Sequence, residues 1–308
     1  MRPHGQTENF GAVAPGKRRQ RDRRRPPMKP QQPTLTVIVP ACNEEAYIGP
    51  CLRSVLACDW SGPGAVEVIV AANGCTDRTA AEARALAPAF DARGWPLIVL
   101  ELAEGNKVRA LNAADDRACG AARLYLDADV TVAPAMLAQI AAVLDGGGPR
   151  YASGTLEMVA HGVVARAYAR IWRRVPFMRD GVPGCGLFAV NAAGRARWGA
   201  FPDIISDDLF VRLHFAPAER HRVPAPFQWP LARGARRLFR VRRRQDAGVH
   251  QLAARYPDLM TNEDAPAFGL RDLARVGLRD PAGLIVYAGI AVAVRLFPAG
   301  TGGWARGR

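Results

Sequence analysis

Two aspartates, Asp127 and Asp129, directly follow the apolar run LYL and are separated by one residue. In an extended segment, side chains two positions apart point to the same side, so both carboxylates face one point. Such a pair repels unless a cation lies between them, and Mg²⁺ or Mn²⁺ prefers a few carboxylates together with phosphate oxygens. The spacing therefore predicts a divalent-cation site beside a phosphate-bearing ligand. The alternative is that Asp129 only caps the helix expected near residues 134–143.

The elements that position these aspartates follow a repeating order of apolar strand, turn and helix. The predicted strands are the apolar runs at residues 35–40, 66–72, 96–102 and 122–129, and the predicted helices follow at 48–56, 79–87 and 108–121. At the second helix, Thr79 and Glu82 have the spacing of a capping box. Strands that alternate with helices predict an α/β fold with a parallel sheet covered on both faces.

Polar residues follow three of these four strands. They are Asn43, Glu44 and Glu45 after the first, Asn73 and Asp77 after the second, and Asp127 and Asp129 after the fourth. Right-handed crossovers place the carboxyl ends of parallel strands along one edge of the sheet, where ligands of open α/β sheets bind. We therefore expect one site assembled from several loops.

The charge of the chain is concentrated in two segments. The 308 residues carry a net charge of +14. Residues 1–33 hold nine Lys or Arg and two acids, and residues 233–244 hold seven Arg and no acid, so each segment contributes +7. The rest of the chain is formally neutral. Because residues 1–33 contain almost no large apolar side chains, we expect them to form a disordered basic tail.

A nucleic-acid-binding protein is the alternative that this charge suggests. Such a surface interleaves aromatic residues with its basic ones. Residues 17–29 contain no aromatic residue, and residues 233–244 contain only Phe239. We therefore expect no nucleic-acid partner.

The six cysteines show no C-x-x-C pair and no spacing to His that suits zinc. This pattern predicts reduced thiols in the cytoplasm. No long apolar run lies between the basic N-terminal segment and the first predicted strand, so we also expect no secretory signal.

Five short segments, in this order, resemble the motif series of the family 2 nucleotide-sugar glycosyltransferases. They are TVIVPACNEEAYI, VIVAANGCTDRT, GNKVRALN, LYLDAD and GAFPDIISDDLFVRL. The resemblance covers about residues 34–215 and implies the GT-A fold, with a mostly parallel Rossmann-like sheet and helices on both faces. It divides the chain into a tail (1–33), a catalytic domain (34–250) and a C-terminal helical segment (251–308).

The resemblance also implies a binding site for a nucleotide-sugar donor, with UDP-sugar expected. Its positions here are Pro40, Ala41, Asn43, Glu44, Asn73, Asp77, Lys107, Asp127 and Ala128. Asn73 stands where many members of the family carry Asp. The metal, Mg²⁺ or Mn²⁺, would be held by Asp127 and Asp129.

The same resemblance assigns catalysis to an acidic pair. Asp208 is the expected base for the hydroxyl of the acceptor, a glycan or a lipid-linked group, with Asp207 beside it and inversion at the anomeric carbon. Two adjacent carboxylates raise one pKa, which favours proton abstraction near neutral pH. The two residues exchange roles if the pair is shifted by one position. A nucleotidyltransferase, which also presents acids and a metal to a nucleotide, would leave this pair without a function.

The arginines of residues 233–244 have two interpretations. One is a mobile loop that closes over the diphosphate through Arg240 or Arg243. The other is a solvated or lipid-facing basic helix. The chain lacks the Q-x-x-R-W string of processive family members such as cellulose synthases, which disfavours a processive polymerase.

Membrane contact is suggested by two further segments. Residues 281–294 are 14 residues without a charge, which is short of the roughly 20 that span a bilayer. Residues 164–175 alternate apolar positions with four arginines at helical spacing. These patterns are typical of a peripheral enzyme on the anionic cytoplasmic leaflet, or of an ordinary surface helix.

Overall fold

The computed structural model describes residues 33–264 and 268–298, which belong to one compact unit. The tail expected at residues 1–33 lies, except for residue 33, outside the described residues. The division of the chain at residue 250 stays a prediction.

Eight strands form one mixed sheet in this part of the chain, in the order β3-β2-β1-β4-β7-β6-β8-β5. Their bounds are β1 Pro33–Ala41, β2 Ala65–Asn73, β3 Leu97–Leu102, β4 Ala122–Leu126, β5 Thr131–Val132, β6 Tyr151–Val159, β7 Leu187–Val190 and β8 Arg220–Pro230. The first three strands are those predicted from the sequence. The fourth begins at residue 122 as predicted but ends at Leu126 instead of 129, because the chain turns there, so Asp127 and Asp129 follow the strand and do not lie on its extended segment. These four strands pair in parallel, with β1 between β2 and β4 and with Ile38 opposite both Ile69 and Tyr125. The parallel half of the sheet is therefore confirmed.

The other half of the sheet is mixed. Strand β7 runs antiparallel to β4 and to β6, whereas β8 is parallel to β6 and antiparallel to β5. The backbone N–H of Asp127 donates to the carbonyl of Gly186, just before β7. This half of the sheet thus extends the edge on which the β4 aspartates lie.

Helices cover both faces of the sheet. They are α1 Ile48–Leu56, α2 Thr79–Arg84, α3 Ala87–Ala92, α4 Lys107–Arg117, α5 Met136–Leu144, α6 Val163–Trp172, α7 Pro176–Arg179, α8 Ala192–Arg195, α9 Asp207–Leu213, α10 Ala235–Arg255, α11 Leu270–Arg279 and α12 Pro281–Leu296. Two 3₁₀ helices lie at Pro217–Glu219 and Pro257–Asn262. Val37 and Val39 face the core built with α1 and α5, while Ile38 faces the core built with α4 and α9. This alternation follows from the two-residue period of a strand.

The capping box predicted at Thr79 and Glu82 is wrong. Thr79 is the first residue of α2, and Arg78 is the N-cap residue without a side-chain cap. The hydroxyl of Thr79 donates instead to Asp77 Oδ1 at 2.5 Å, and it accepts from the backbone N–H of Glu44 at 2.7 Å. The threonine therefore ties the two loops that follow β1 and β2 to each other.

The arginine-rich segment is helical from Ala235 onward, so the loop interpretation is wrong, whereas the solvated or lipid-facing character of the helix stays a prediction. Helix α10 has 21 residues, begins after Gly234 and runs through residue 250. Arginine and glutamine have high helix propensity, and Leu238 and Leu252 are buried in the core. Burial of these leucines at helical spacing fixes the helix on the protein.

Helix α12 covers the apolar run at residues 281–294 and has 16 residues. Within the ranges 33–264 and 268–298, none of the helices combines the length and the apolar character that crossing a membrane requires.

Candidate functional site

Asp127 and Asp129 directly follow β4 and lie at the edge of the sheet where they are expected. The backbone N–H of Val130 donates to the carbonyl of Asp127 at 3.0 Å, which turns the chain after β4. Both carboxylates line a cavity of about 470 Å³, here called cavity A. Burial, followed by the negative charges of Asp129, Asp127 and Glu44, raises the pKa of the Cys51 thiol. Glu44, Asp127 and Asp129 thus supply three acidic side chains to the lining of cavity A.

Lys107 joins these aspartates to the acidic pair. It is the first residue of α4, whose N-cap residue Asn106 accepts from the backbone N–H of Arg109 at 3.0 Å. Its Nζ lies 3.0 Å from Asp127 Oδ1 and 3.0 Å from Asp207 Oδ2. Burial acts to lower the pKa of Lys107, but the surrounding carboxylates outweigh it and raise the pKa. The lysine is therefore a permanent cation between two acidic segments that are 80 residues apart in sequence.

The acidic pair begins helix α9. Asp207 is buried, and Asp208 is partly buried, with its Oδ1 accepting from the backbone N–H of Leu209 at 2.8 Å. Burial and the charge of Asp207 raise the pKa of Asp208 to about 6, although Lys107 acts in the opposite direction. Asp208 therefore exists as a carboxylate near neutral pH that still binds a proton readily, as a general base requires.

A second cavity of about 440 Å³, cavity B, holds the acidic pair. Much of its remaining wall is apolar or aromatic, including Val175, Phe177, Phe188, Leu209 and Tyr287. Cavities A and B share Pro40, Lys107, Asp127, Trp172, Trp229, Arg242, Arg244 and Gln245. A ligand in cavity A and a ligand in cavity B would therefore meet at Lys107 and Asp127.

Four of the other expected binding residues line cavity A: Asn43, Glu44, Asn73 and Ala128. Asn43 has a positive φ of 55°, a conformation that asparagine tolerates better than most residues. Its Oδ1 accepts from the backbone N–H of Thr76 at 2.7 Å. Asn73 is buried and donates from Nδ2 to the carbonyl of Ala41 at 2.9 Å. These bonds hold the loops after β1 and β2 together beside the cavity.

Two expected binding residues, Asp77 and Ala41, lie outside both cavities. The carboxylate of Asp77 accepts from the backbone N–H groups of Thr79 at 3.0 Å and Glu45 at 3.2 Å. Burial acts to raise the pKa of Asp77, but the hydrogen bond from the Thr79 hydroxyl together with these two backbone bonds outweighs it and lowers the pKa. Asp77 thus organises the loops, and Ala41 contributes its carbonyl to Asn73.

Arg240 and Arg243 also lie outside both cavities. Because α10 is a helix, only some of its arginines face the site: Arg242 and Arg244 line both cavities, and Arg237 lines cavity A. Arg243 instead lies over the ring of Phe239, 5.4 Å from its centroid. The sequence prediction named Arg240 or Arg243, whereas the arginines that line the cavities are Arg237, Arg242 and Arg244, because a helix presents only some of its side chains to the site.

Gly186 is a site residue that the sequence prediction missed. It has a φ of 75°, and a Cβ there would lie 2.7 Å from Trp229 Cδ1. Gly186 lines cavity B, and its carbonyl accepts from the backbone N–H of Asp127. The only signal in the sequence is its place in the short string PGCG, which does not show what the glycine approaches.

The donor set at Asp127 and Asp129 suits a hard divalent cation that takes its remaining ligands from a substrate. Residues 33–264 and 268–298 contain no group of three or more His, Cys, Asp or Glu side chains that could hold a metal by themselves. A magnesium-type site needs only one or two carboxylates when substrate phosphates complete the shell. The two aspartates fit that description.

Comparison with known proteins gives a family match and several structural matches. The model of glycosyl transferase family 2 matches residues 36–193, just over half of the chain. The mannosyltransferase PcManGT from Pyrobaculum calidifontis, in complex with GDP-Man and Mn²⁺, is 23% identical with a TM-score of 0.55. That alignment covers 87% of this chain and 76% of PcManGT.

S. aureus TarS (residues 1–349) is 17% identical with a TM-score of 0.52, over 84% of this chain and 72% of TarS. Its complex with UDP-GlcNAc is 18% identical with a TM-score of 0.51, over 86% and 73%. At these identities the likeness concerns the fold. No match to this chain is found among curated proteins.

Proposed function

The chain belongs to glycosyl transferase family 2 and is a glycosyltransferase, and we propose that it transfers a sugar from a UDP-sugar to an acceptor hydroxyl with inversion. The expected GT-A fold is confirmed. The observation that carries the proposal is Lys107, which bridges Asp127 and Asp207 at 3.0 Å each where cavities A and B meet. This arrangement supports a donor in cavity A and an acceptor in cavity B.

The lining of cavity A suits a nucleoside diphosphate. Asn43 through Nδ2 and Asn73 through Oδ1 can contact the base and the ribose, since the loop hydrogen bonds use the other polar atom of each amide. Arg237, Arg242 and Arg244 provide guanidinium groups for phosphate oxygens. PcManGT is a complex with GDP-Man, and TarS was determined with UDP-GlcNAc. These relatives support a nucleotide-sugar donor here, with UDP as our choice of nucleotide.

The proposed metal is Mg²⁺ or Mn²⁺, held by Asp127 and Asp129. Mn²⁺ in the PcManGT complex supports this proposal. A bound cation would supply charge stabilisation for the diphosphate as it leaves. Asp127, Asp129 and Glu44 all line cavity A, so their negative charges would favour a cation there.

Asp208 is the proposed base. Its carboxylate accepts the proton of the acceptor hydroxyl while that oxygen bonds to the anomeric carbon, and the bond from this carbon to the diphosphate oxygen breaks. The diphosphate leaves with the electron pair of that bond. Attack from cavity B on a sugar held in cavity A is a displacement from the opposite side, which inverts the anomeric centre. Lys107 binds both Asp207 and Asp127, at the point where the two ligands would meet.

The proposal is tested by measuring the binding of UDP, GDP and ADP with Mn²⁺ or Mg²⁺, followed by a screen of donor hydrolysis. We expect UDP to bind most tightly and UDP to be released from a UDP-sugar. Release of pyrophosphate from a nucleoside triphosphate would favour the nucleotidyltransferase. Binding of nucleic acid without binding of any nucleotide would favour the nucleic-acid-binding protein.

Replacing Arg244 by Gln is expected to raise the KM for the donor by about 10- to 100-fold, because a hydrogen bond to a charged group is worth roughly 1.5–3 kcal/mol. Arg244 lines both cavities. Arg240→Gln removes the same charge from an exposed position of the same helix outside the cavities, and its KM should change less than about twofold. Steady-state kinetics at several donor concentrations measure both values. Equal effects of the two variants would contradict the assignment.

We propose a cytoplasmic location, with residues 34–250 as the catalytic domain and residues 251–308 as an appended helical segment. The cysteines at residues 51, 58, 75, 119 and 185 are free thiols. Free thiols in this number favour a reducing compartment. The acceptor is proposed to be a hydroxyl-bearing glycan or lipid-linked group.

A further inference from the structure

The outward face of helix α12 is apolar along its length. Its exposed positions include Ala282, Ile285, Gly289, Val292 and Leu296, which recur at intervals of three and four residues. Ile285 is 74% exposed and Leu296 is 68% exposed. A surface helix normally places polar side chains on its outer face. These five positions, here called the α12 stripe, therefore have the composition of a face that is covered in use.

The opposite face of α12 is the one that packs on the protein. Ile290 and Val294 are buried, and the ring of Tyr287 lies 5.2 Å from that of Tyr168 on α6. The helix also packs against α10 and α11. These contacts set the orientation of α12, so the stripe is a second apolar face of the helix, distinct from the face that packs on the core.

The helices that pack against α12 present arginines to solvent. Exposed arginines on α6, on α11 and at the end of α12 are Arg166, Arg170, Arg271, Arg275, Arg279 and Arg295. Asp280, which connects α11 to α12, is engaged by Arg170 at 2.6 Å and accepts from the backbone N–H of Gly283 at 2.9 Å. Together with Asp280, α6, α11 and α12 carry six arginines and two acids, Asp272 and Asp280, so the net charge around the stripe is +4.

Two more apolar side chains lie among these arginines. Leu278 on α11 is 88% exposed and Val163 at the start of α6 is 77% exposed. Apolar residues surrounded by basic ones are the pattern of an interfacial surface, in which the apolar part enters the headgroup region and the arginines contact anionic lipids.

We propose that the α12 stripe, with the arginines of α6 and α11, docks on an anionic lipid bilayer. A second copy of the chain is a weaker match, because a two-fold interface places the same residues of both copies together and would bring the two sets of arginines face to face. An anionic surface instead complements their charge.

Docking in this way would bring the reaction site close to the bilayer. Tyr287, on the inner face of α12, lines cavity B, and a helix with its side chains is about 10–12 Å across. On the proposed function, an acceptor hydroxyl held at the bilayer surface would lie beside the cavity that contains Asp208.

The test is flotation of the full chain with phosphatidylglycerol-containing vesicles and with pure phosphatidylcholine vesicles. We expect binding to the anionic vesicles only. Two double variants should each weaken binding to the anionic vesicles at least about tenfold. Ile285→Ser with Val292→Ser removes apolar area that would enter the headgroup region. Arg275→Glu with Arg279→Glu removes two arginines that each contribute roughly 1 kcal/mol. Arg53→Glu with Arg117→Glu reverses two exposed arginines elsewhere and should bind like the original protein.

Several results would overturn the proposal. These are unchanged binding of both the α12 and the α11 double variants, equal loss in the Arg53 and Arg117 control, or a dimer in sedimentation that the α12 variant dissociates while the original protein does not bind vesicles. UDP binding and donor hydrolysis are measured on the same proteins. Because the substituted residues line neither cavity, these activities should be unchanged, which separates failure of docking from failure of the proposed function.

Discussion

Asp208→Asn is expected to lower kcat for sugar transfer by about 10²–10⁴-fold, the usual contribution of a general base. The amide cannot take the proton of the acceptor hydroxyl, whereas its size and its hydrogen bond from the N–H of Leu209 are retained. Donor binding in cavity A should be unchanged, because Asp208 lines only cavity B. Transfer assays and UDP titrations on the same preparation measure the two effects.

The dependence of kcat on pH gives a second measure of the same assignment. With the pKa of Asp208 at about 6, transfer by the original protein should fall as pH drops below about 6. An ordinary aspartate would give this decline two pH units lower. The residual activity of Asp208→Asn should lack this step.

Stability should change in the opposite sense to activity. A carboxyl whose pKa is higher in the folded protein than in the unfolded chain makes folding less favourable as pH rises from about 4 to about 6. Asn removes that cost. The Tm of the variant at pH 8 should therefore equal or exceed that of the original protein, and the advantage should shrink toward pH 4.

If Asp207→Asn is inactive and Asp208→Asn is active, the two aspartates exchange roles, and if both are active neither is the base.

The parallel half of the sheet, and the polar residues that its strand ends bring to the site, could be predicted because both depend on local patterns. Apolar runs such as LTVIVP and VEVIVAA mark strands buried on both faces, and polar residues such as Asn43 and Asp127 follow them directly. Chain handedness then places the strand ends on one edge. This reasoning needs no knowledge of distant contacts.

The roles of Asp77 and of the arginines depend on such contacts. An aspartate two residues before a helix can bind a ligand or the backbone. Here the carboxylate of Asp77 accepts hydrogen bonds from two backbone N–H groups. The arginines at 240 and 243 differ from those at 242 and 244 only in the direction they face, which becomes defined once Leu238 and Leu252 are buried.

The same limit applies to the apolar run at residues 281–294. Its composition does not separate the residues that pack on α6, such as Tyr287, from those that face outward, such as Ile285 and Val292. The structure makes that separation. This segment thus has one face that packs on the core and one apolar face that is exposed.

Asp129→Ala is expected to abolish transfer, by at least about 100-fold, and to remove the effect of Mn²⁺ on UDP affinity, because one of the two proposed metal ligands is lost. Asp129 is a better target than Asp127, which also binds Lys107 at 3.0 Å, so that its removal would disturb the acidic pair as well. Calorimetric titration of UDP with and without Mn²⁺ measures the effect. Asp208→Asn is the matched control, since it should lose transfer and keep metal-dependent binding. Metal-dependent binding that survives in Asp129→Ala would show that the cation is held elsewhere.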